Sequence, residues 1–407
     1  MLNDAKRICI NAINACLPTS SLRRAMEGIN IKGDIYLLAV GKAAYEMAKT
    51  VSTLVNIKQG IVISKYGHID GYLDNITCYE AGHPIVDENS IEATDKAISF
   101  LSQLKNDDTL LFLLSGGASA LLEKPLIDLK QLQDINDQML KKALTINEIN
   151  TIRKKLSAVK GGKLVSYCNG ARIISFILSD VLDNDLGIIG SGPTYSDFTS
   201  REDAYRIIDK YQLELSDEAK RIIIDSDKTI VENGEYHIVG SIKQLVNQAI
   251  FEANRLSYNA IVLDDHYNGN IKKAASFLLG NIKKYLKSDE NICLIMGSEI
   301  TVNVKGDGKG GRNQELVFTL MKEIAKLDNV LLMSLASDGT DGPTDAAGGY
   351  VDKYSYSKLI DMGLDYDDIL NRNDTYHGLK AIGNLIKIGP TGTNVNDLSV
   401  VLISNNK

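Results

Sequence analysis

The chain has 407 residues, which is long for one ordinary domain and predicts two or three, each with a sizeable core. A hydrophobic content of 44% and a charged content of 24% are typical of globular proteins, and a net charge of -7 argues against nucleic acid or an anionic membrane surface as the main partner. The five cysteines show no CxxC or CxxH spacing, so they indicate neither a disulfide framework nor a structural zinc site. We expect a soluble, cytoplasmic protein, because the sequence has neither a signal-peptide core nor an apolar run of about 18 residues.

Short apolar runs alternate with segments of helical length in the first half of the chain. This alternation is typical of βαβ units and predicts a parallel, doubly wound, Rossmann-like sheet. The strand-like runs are DIYLLAVG (34–41), GIVISK (60–65), ITCYEA (76–81), TLLFLLSGG (109–117) and RIISFILSD (172–180).

Two or three successive helices interrupt this rhythm between residues 128 and 168, and one of them opens at Thr145 with the capping-box sequence T-I-N-E. A charged, helix-forming stretch follows from about 200 to 230. We therefore predict two α/β domains, residues 1–232 and residues 233–407, the second with a mixed sheet, and we expect the active site in the cleft between them. The strand-like runs of the second domain are NAIVLD (259–264), ICLIMG (292–297) and TVNVK (301–305).

Glycine and polar residues concentrate at the ends of the strands, where open α/β sheets bind their ligands. AVGKAA follows the first strand and opens a helix, so Lys42 would lie where a helix N-terminus favours an anion. LLSGGASAL repeats this arrangement, and Gly116 and Gly117, next to Ser115, would let a ligand approach the backbone. A solvated first-turn lysine and a tight turn without a ligand are the alternatives.

The stretch INEINTIRKKLSAVKGGKL is rich in basic residues, and Lys160, before two glycines, is a candidate ligand-binding cation. Asp180 ends the RIISFIL strand, and the turn SGPT (191–194) follows. A carboxylate at the end of a buried strand suits a magnesium ligand or a base, with the cap of a turn as the alternative. The other basic residues of the stretch are predicted to lie on a solvated helix face: Arg153, Lys154, Lys155 and Lys163.

The densest pattern is in the second half of the chain. Glu299 follows a strand, and the glycine-rich loop GDGKGG leads to Arg312 and Asn313, where a helix begins. Such a loop is costly to order, so we predict that Gly310, Gly311 and the guanidinium wrap phosphate oxygens. A flexible hairpin insertion is the alternative.

ASDGTDGPTDAAGG follows the apolar run VLLMSLA and places Asp338, Asp341 and Asp345 within eight positions. One Asp-Gly would satisfy a turn, so the repeat indicates a ligand-binding loop at the carboxyl end of a buried strand, with a solvated loop as the alternative. The five histidines show no HxH or HExxH spacing and indicate no metal site. His83, in the turn GHP, is either structural or close to the substrate.

Taken in order, these stretches resemble the class II glycerate kinases, the glycerate 2-kinase family with a C-terminal MOFRL domain. The matching stretches run in the family's order from residue 39 to residue 398. One departure is Gly-Ser-Glu-Ile at 297–300, where the family pattern has Gly-Gly-Glu-Thr. The resemblance rests on AVGKAA, AGHP, SGGASAL, TINEIN, LSAVKGGKL, ILSDV, SGPT, GDGKGGRNQE, ASDGTDGPTDAAGG and GPTGTNVNDL.

The resemblance implies an enzyme that transfers the γ-phosphoryl group of ATP to the 2-hydroxyl of D-glycerate, with Mg²⁺ as the metal. Phosphoryl transfer requires cations on the transferred group and carboxylates on the metal, and the sequence supplies both. Lys42 and Arg312 would clamp the substrate and the developing phosphate charge. Asp180 and Asp338 would hold Mg²⁺ or accept the hydroxyl proton. The predicted substrate- and phosphate-binding residues are Ser115, Gly116, Gly117, Lys160, Glu299, Gly310, Gly311 and Asn313.

Three other functions stay open at this point. A reductase of hydroxypyruvate or tartronate semialdehyde would need a dinucleotide fold, and the sequence has no GxGxxG. A non-catalytic sensor would bind nucleotide or a sugar acid without turnover. A kinase with another small hydroxy acid as acceptor would use the same groups. A homodimer is compatible with the sequence.

Overall fold

The computed structural model describes residues 1–404. The chain divides into a central unit, Ser21–Val239, and a terminal unit, which consists of Met1–Ser20 and the chain from Gly240 onward. The sequence-based division after residue 232 differs from this one chiefly at the N-terminus. The first helix, α1 (Leu2–Ala15), buries Ile8 and Ile13 in the core of the terminal unit, so these residues pack with elements that lie more than 200 positions further along the chain.

The central unit contains a six-stranded sheet. Its first five strands pair in parallel in the order β3-β2-β1-β4-β5, and β6 lies next to β5. The chain runs outward in one direction from β1 to β3 and in the other from β4 to β5, so the strand order reverses between β1 and β4. The strands are β1 (Ile35–Val40), β2 (Gln59–Lys65), β3 (Ile76–Ala81), β4 (Thr109–Leu114), β5 (Arg172–Leu178) and β6 (Glu235–Gly240).

Both faces of this sheet are covered. Along β4, Phe112 belongs to one hydrophobic cluster, while Leu111 and Leu113 belong to another. A continuous apolar run such as TLLFLL is typical of a parallel strand buried on both faces. The helices of this unit are α2 (Pro18–Met26), within which the division falls, α3 (Ala44–Ser52), α4 (Glu88–Leu101), α5 (Ala118–Leu121), α6 (Leu129–Lys141), α7 (Ile146–Lys155), α8 (Arg201–Tyr211) and α9 (Asp217–Asp225), with 3-10 turns at Lys163–Cys168 and Ile189–Ser191.

The predicted capping box at the start of α7 is confirmed. Thr145 accepts a hydrogen bond from the backbone N–H of Glu148 (3.3 Å), and Glu148 accepts one from the backbone N–H of Thr145 (2.9 Å). This reciprocal pair satisfies two backbone donors that the helix itself cannot satisfy. The charged stretch near residues 200–230 forms α8 and α9, as the pattern indicated.

The terminal unit contains a mixed sheet in the order β11-β10-β9-β12-β8-β7. Only β7 and β8 pair in parallel, and β8, β12, β9, β10 and β11 pair antiparallel in turn. The predicted α/β class, with a parallel and a mixed sheet, is therefore confirmed. The strands are β7 (Asn259–Asn270), β8 (Ile292–Thr301), β9 (Val330–Ala336), β10 (Gly348–Asp352), β11 (Leu385–Ile386) and β12 (Asp397–Ile403).

The strand predicted over residues 301–305 is wrong. β8 ends at Thr301, where its pairing with Asn270 of β7 also ends, so the next residues have no neighbouring strand to continue the ladder.

None of the helices within residues 1–404 is long and apolar enough to cross a membrane. The remaining helices of the terminal unit are α10 (Ile242–Arg255), α11 (Ile271–Tyr285), α12 (Arg312–Ile324), α13 (Ser355–Asp361), α14 (Tyr366–Asn371) and α15 (Thr375–Ala381).

Candidate active site

Two strand-to-helix turns meet in the central unit where the order of the parallel strands reverses. One turn follows β1 and carries Lys42, and the other follows β4 and carries Ser115 and Gly116. The backbone N–H of Lys42 donates to the carbonyl oxygen of Gly116 (2.9 Å), and the N–H of Ala43 donates to Ser115 Oγ (3.1 Å). Gly41 has a φ of 128°, and a side chain there would collide with Ser115, so this close approach requires glycine.

The functional groups at this turn are not engaged by the fold. The Lys42 side chain is partly exposed, and its ammonium has no hydrogen bond or ion pair within residues 1–404. In the same part of the chain, the backbone N–H groups of Gly116 and Gly117 have no acceptor. A cation and two amide donors are therefore available to an anionic ligand at the carboxyl edge of the sheet.

Asp180 joins this group from the end of β5. Its carboxylate lies so close to Gly116 that a Cβ at that glycine would stand 2.9 Å from Asp180 Cγ. Burial raises the pKa of Asp180 above its ordinary value, while the positive charge of Lys42 acts in the opposite direction. Four of the predicted residues, Lys42, Ser115, Gly116 and Asp180, are thus brought together in one unit.

His83 also contacts this turn, from the loop that follows β3. Its ring lies against Gly117, because a Cβ at that glycine would be 3.0 Å from His83 Cδ2. The sequence left His83 undecided between a structural role and proximity to the substrate. Its position could have been anticipated from the parallel pairing of β3 with the other strands, which brings their carboxyl ends to one edge.

Lys160 lies in a different environment from Lys42. Its side chain is 0% exposed, and its Nζ is 3.0 Å from a carboxylate oxygen of Glu123. The ammonium also donates to the carbonyl oxygen of Leu122 (2.8 Å), and Ser157 Oγ donates to Glu123 (2.6 Å). Burial lowers the pKa of Lys160, and Glu123 opposes that shift. In this structure Lys160 therefore holds the end of α5 and is committed inside the fold.

The two glycines after Lys160 also have internal partners for their backbone N–H groups. Gly161 N–H donates to the carbonyl oxygen of Ser191 (3.0 Å), and Gly162 N–H donates to that of Gly192 (2.7 Å). The KGG and SGPT turns thus bind each other. Ser191 Oγ in turn lies 3.1 Å from Ser119 Oγ in α5, so this pair of turns also supports the helix that follows Gly117.

The prediction of a solvated helix face is wrong for Lys154 and Lys155, and the Nζ of Lys163 also binds inside the unit, since it donates to the carbonyl oxygens of Lys154 (2.6 Å) and Ser157 (2.7 Å). Lys155 is 1% exposed and its Nζ lies 3.0 Å from Asp197, while Lys154 is 9% exposed and lies 3.6 Å from the same residue. Lys155 also donates to the carbonyl oxygen of Thr199 (2.6 Å). A buried carboxylate beyond the SGPT turn makes this possible, and nothing in the local charge pattern indicates that partner.

In the terminal unit, Arg312 begins α12 and binds Asp397, the first residue of β12. Arg312 Nη2 donates to Asp397 Oδ1 (2.7 Å), and Nε donates to Oδ2. Burial alone would lower the pKa of Arg312, but Asp397, followed by Asp341 and Asp338, raises it above its ordinary value. Burial raises the pKa of Asp397 to about 6, although Arg312 opposes this. The guanidinium stays charged, and with a third of its side chain exposed it can still contact a ligand.

Asp341 is committed to the start of the same helix. It has no exposed surface, and its two carboxylate oxygens accept hydrogen bonds from the backbone N–H groups of Asn313 (3.1 Å) and Gln314 (2.8 Å). Asp338 is partly exposed at the end of β9, and its Oδ1 accepts the N–H of Thr340 (2.9 Å). Of these two carboxylates, only Asp338 has surface that a ligand can reach.

The other predicted residues of the terminal unit are mostly enclosed. Gly311 packs against Asp341, and Gly310 packs against Thr375. Asn313 is fully buried, donates to Asp341 (3.3 Å) and accepts a hydrogen bond from Ser334 Oγ. The glycine-rich loop is thus built into the unit, which argues against a loose insertion.

Glu299 is exposed on β8, where it pairs in register with Asn268 of β7. Further along β7, the ligand atoms of three consecutive residues, Asp264, Asp265 and His266, lie within 4.8 Å of one another. Exposed acidic groups are common without a metal ion, so this cluster by itself does not indicate a metal site.

The chain is similar to known proteins over nearly its whole length. Residues 4–224 match the model of a domain of unknown function, DUF4147, and residues 292–397 match the MOFRL family. The chain is 39% identical to D-glycerate 2-kinase from Thermotoga maritima, over 98% of this chain and 97% of that protein. It is 37% identical to glycerate 2-kinase from Pyrococcus horikoshii, over 99% of this chain and 94% of that protein. A crystal structure of glycerate kinase from Thermotoga maritima superposes with a TM-score of 0.95, covering 99% of both chains.

The fold and the matches define a two-domain α/β protein with an N-terminal DUF4147 domain and a C-terminal MOFRL domain. Among such proteins, the chain belongs to the glycerate 2-kinase family, as the resemblance of its motifs predicted.

Proposed function

We propose that the protein catalyses the ATP-dependent phosphorylation of D-glycerate at its 2-hydroxyl and forms 2-phosphoglycerate. The main support from the structure is the turn at Lys42. There an ammonium and two backbone amides that have no partner within residues 1–404 lie close to the Asp180 carboxylate, at the reversal of the strand order. The main support from the comparisons is identity of 37–39% to two glycerate 2-kinases over nearly the whole chain.

In this proposal the central unit binds the acceptor. The amides of Gly116 and Gly117 hold the glycerate carboxylate, and Lys42 balances its charge and the charge that develops on the transferred group. Ser115 acts indirectly, because its hydroxyl accepts the N–H of Ala43 and so fixes the position of Lys42. Asp180 is the base for the 2-hydroxyl or a ligand of Mg²⁺.

Arg312 contributes a second cation on the transferred phosphoryl group. Asp397 holds the guanidinium by two parallel hydrogen bonds, which fixes its plane before a phosphate arrives. The remaining exposed surface of Arg312 is available to phosphate oxygens. Asp338, whose negative charge acts on Arg312, is the carboxylate of this unit that we assign to the metal or to proton transfer.

Lys160, Gly310, Gly311 and Asn313 have supporting roles in this scheme. Lys160 fixes the end of α5, and the other three fix the start of α12, on which Arg312 lies. Glu299 stays a proposed substrate-binding residue, since it is exposed.

ATP and Mg²⁺ complete the proposed reaction. The donor set suits the ion, because magnesium binds oxygen ligands and Asp180 is a partly buried carboxylate, whose pKa is raised by burial and lowered by the charge of Lys42. When bound, Mg²⁺ would neutralise phosphate charge. We place the protein in the cytoplasm, where its five free cysteines would remain reduced.

Phosphorus NMR tests the proposed function directly. The purified protein is incubated with ATP, Mg²⁺ and D-glycerate, and each component is omitted in turn. We expect a 2-phosphoglycerate signal that needs all three components and disappears in Lys42→Met but not in Lys96→Met, an exposed lysine of the same unit. A 3-phosphoglycerate signal would contradict the regiochemistry. Unchanged ATP in a folded protein would contradict glycerate as the acceptor.

A further inference from the structure

His83 differs from the other histidines of the described chain in having no internal partner. His68, His237, His266 and His377 each place a ring nitrogen within 3.1 Å of a carbonyl or carboxylate oxygen. Neither ring nitrogen of His83 has a hydrogen bond or ion pair within residues 1–404, although the side chain is partly buried. A partly buried imidazole with two unused nitrogens is suited to bind a ligand.

The ring edge that carries Nε2 faces the glycine turn of the candidate active site. A Cβ at Gly117 would lie 3.2 Å from His83 Nε2 and 3.4 Å from Lys42 Cε. Asp180 occupies the corresponding position on the other glycine of the turn, Gly116. A ligand bound to the two glycine amides would therefore have Asp180 on one side and His83 on the other, with Lys42 beside it.

The groups that face His83 decide its protonation state. Burial, followed by the positive charge of Lys42 and smaller effects of Lys65 and His68, lowers the pKa of His83 to about 4. The ring is thus neutral near pH 7, with one nitrogen as a donor and the other as an acceptor. We assign the acceptor role to Nε2, because the ring edge that carries it lies against the glycine turn.

We propose that His83 Nε2 accepts a hydrogen bond from the hydroxyl of the substrate that is not phosphorylated, the 3-hydroxyl of D-glycerate. This inference rests on the proposed function, in which the carboxylate lies on the glycine amides and Asp180 faces the 2-hydroxyl. His83 then selects hydroxy acids that carry a second hydroxyl over those that end in a methyl group. Such an acceptor discriminates because the analogue leaves it unpaired.

The test compares D-glycerate with D-lactate, which has the same carboxylate and 2-hydroxyl but lacks the 3-hydroxyl. Wild type, His83→Phe and His83→Gln are assayed for kcat and KM with both acceptors by ADP release. We expect His83→Phe to lower kcat/KM for D-glycerate by about 10- to 100-fold, mainly through KM, and to leave that for D-lactate nearly unchanged. His83→Gln, whose side-chain oxygen can accept a hydrogen bond, should recover part of the preference. KM for ATP should not change.

The controls separate this inference from the proposed function. If wild type does not phosphorylate D-glycerate, the proposed function fails. If wild type turns over and folded His83→Phe keeps the wild-type ratio of the two acceptors, or loses both activities equally, the role of His83 is wrong. His266→Phe, an exposed histidine of the terminal unit, should behave as wild type.

A spectroscopic measurement on wild type does not depend on the variants folding. The imidazole nitrogens of His83 are observed by NMR and assigned by their loss in His83→Gln. We expect a neutral ring at pH 6 with a titration midpoint of about 4. Saturating D-glycerate should shift Nε2, and saturating D-lactate should not. An equal response to both acceptors would overturn the assignment of the 3-hydroxyl.

Discussion

The turn at Gly41-Lys42 and the turn at Lys160-Gly161 both join a lysine to glycine, but their polar groups have opposite surroundings. Lys42 has no partner for its ammonium within residues 1–404, whereas Lys160 is buried and bound to Glu123 and Leu122. Gly161 gives its N–H to Ser191. We therefore propose that a glycine-lysine turn of this protein binds ligand where the fold leaves its donors unused, and that it has a structural role where internal partners bind those donors.

The repeated Asp-Gly pairs of the terminal unit show the same division within one loop. Asp341 gives both carboxylate oxygens to the start of α12, and Asp338, three positions earlier, keeps accessible surface near Arg312. One acidic residue therefore holds the start of the helix on which Arg312 lies, and we propose that the other binds the ligand. The acid content of this loop serves two purposes.

Lys42→Met is expected to have the largest effect on turnover. Removing a cation from developing phosphate charge should lower kcat by about 1,000-fold or more, as for other single cations in phosphoryl transfer. Because the ammonium has no hydrogen bond or ion pair in the described part of the chain, the thermal midpoint should change little, and circular dichroism checks this. Turnover within about tenfold of wild type, in a folded variant, would show that Lys42 is not in the site.

In contrast to Lys42→Met, which should leave stability nearly unchanged, Lys160→Met should strongly lower the free energy of unfolding. Breaking a buried ion pair leaves the Glu123 carboxylate uncompensated, so we expect a loss of about 3–5 kcal/mol in the free energy of unfolding. Urea titration followed by circular dichroism measures the loss. The double variant Lys160→Met with Glu123→Leu should recover part of it, because no unpaired charge remains. A loss below about 1 kcal/mol in the single variant would mean that this pair contributes little.

Asp341 and Asp338 allow the same comparison of a structural and a ligand-binding residue within one loop. Asp341→Ala removes the acceptor of two buried backbone N–H groups and should lower the free energy of unfolding by about 2–3 kcal/mol. Asp338→Ala should change stability by less than about 1 kcal/mol but lower turnover by about 100-fold and raise the Mg²⁺ concentration needed for half activity. If Asp338→Ala lowered stability and Asp341→Ala lowered only turnover, the roles that we assign to these two residues would be wrong.

Much of the fold could be predicted because its pattern is local. The continuous apolar run of β4 and the capping box at Thr145 are readable within a few residues. The packing of α1 with the terminal unit could not be predicted, since its apolar face fits any core. The 301–305 run failed for a similar reason: its alternation is correct for a strand, but no partner strand continues beside it.

The site was predictable to the same extent. Residues at the carboxyl ends of parallel strands must meet at one edge, so Lys42, Ser115 and Asp180 could be grouped from the sequence. The buried ion pairs of Lys160 and Lys155 could not be predicted, because Glu123 lies 37 positions before Lys160 and Asp197 lies 42 positions after Lys155. Distances in sequence of this size carry no signal of contact in a single chain.

Glycine at position 117 gives the smallest expected effect on activity and the sharpest control. Gly117 has a φ of 91°, and Gly28 in the same unit has a φ of 82° with nothing within 4 Å of an added Cβ. Alanine at either position should therefore cost about 1 kcal/mol of stability from backbone strain alone. Only at Gly117 would the new methyl group meet His83 and Lys42, so Gly117→Ala should also lower kcat/KM for D-glycerate by about tenfold while Gly28→Ala keeps wild-type kinetics. Equal kinetics in the two variants would mean that the space in front of Gly117 is not used by the substrate, and the glycine amides would then lose their place in the proposed site.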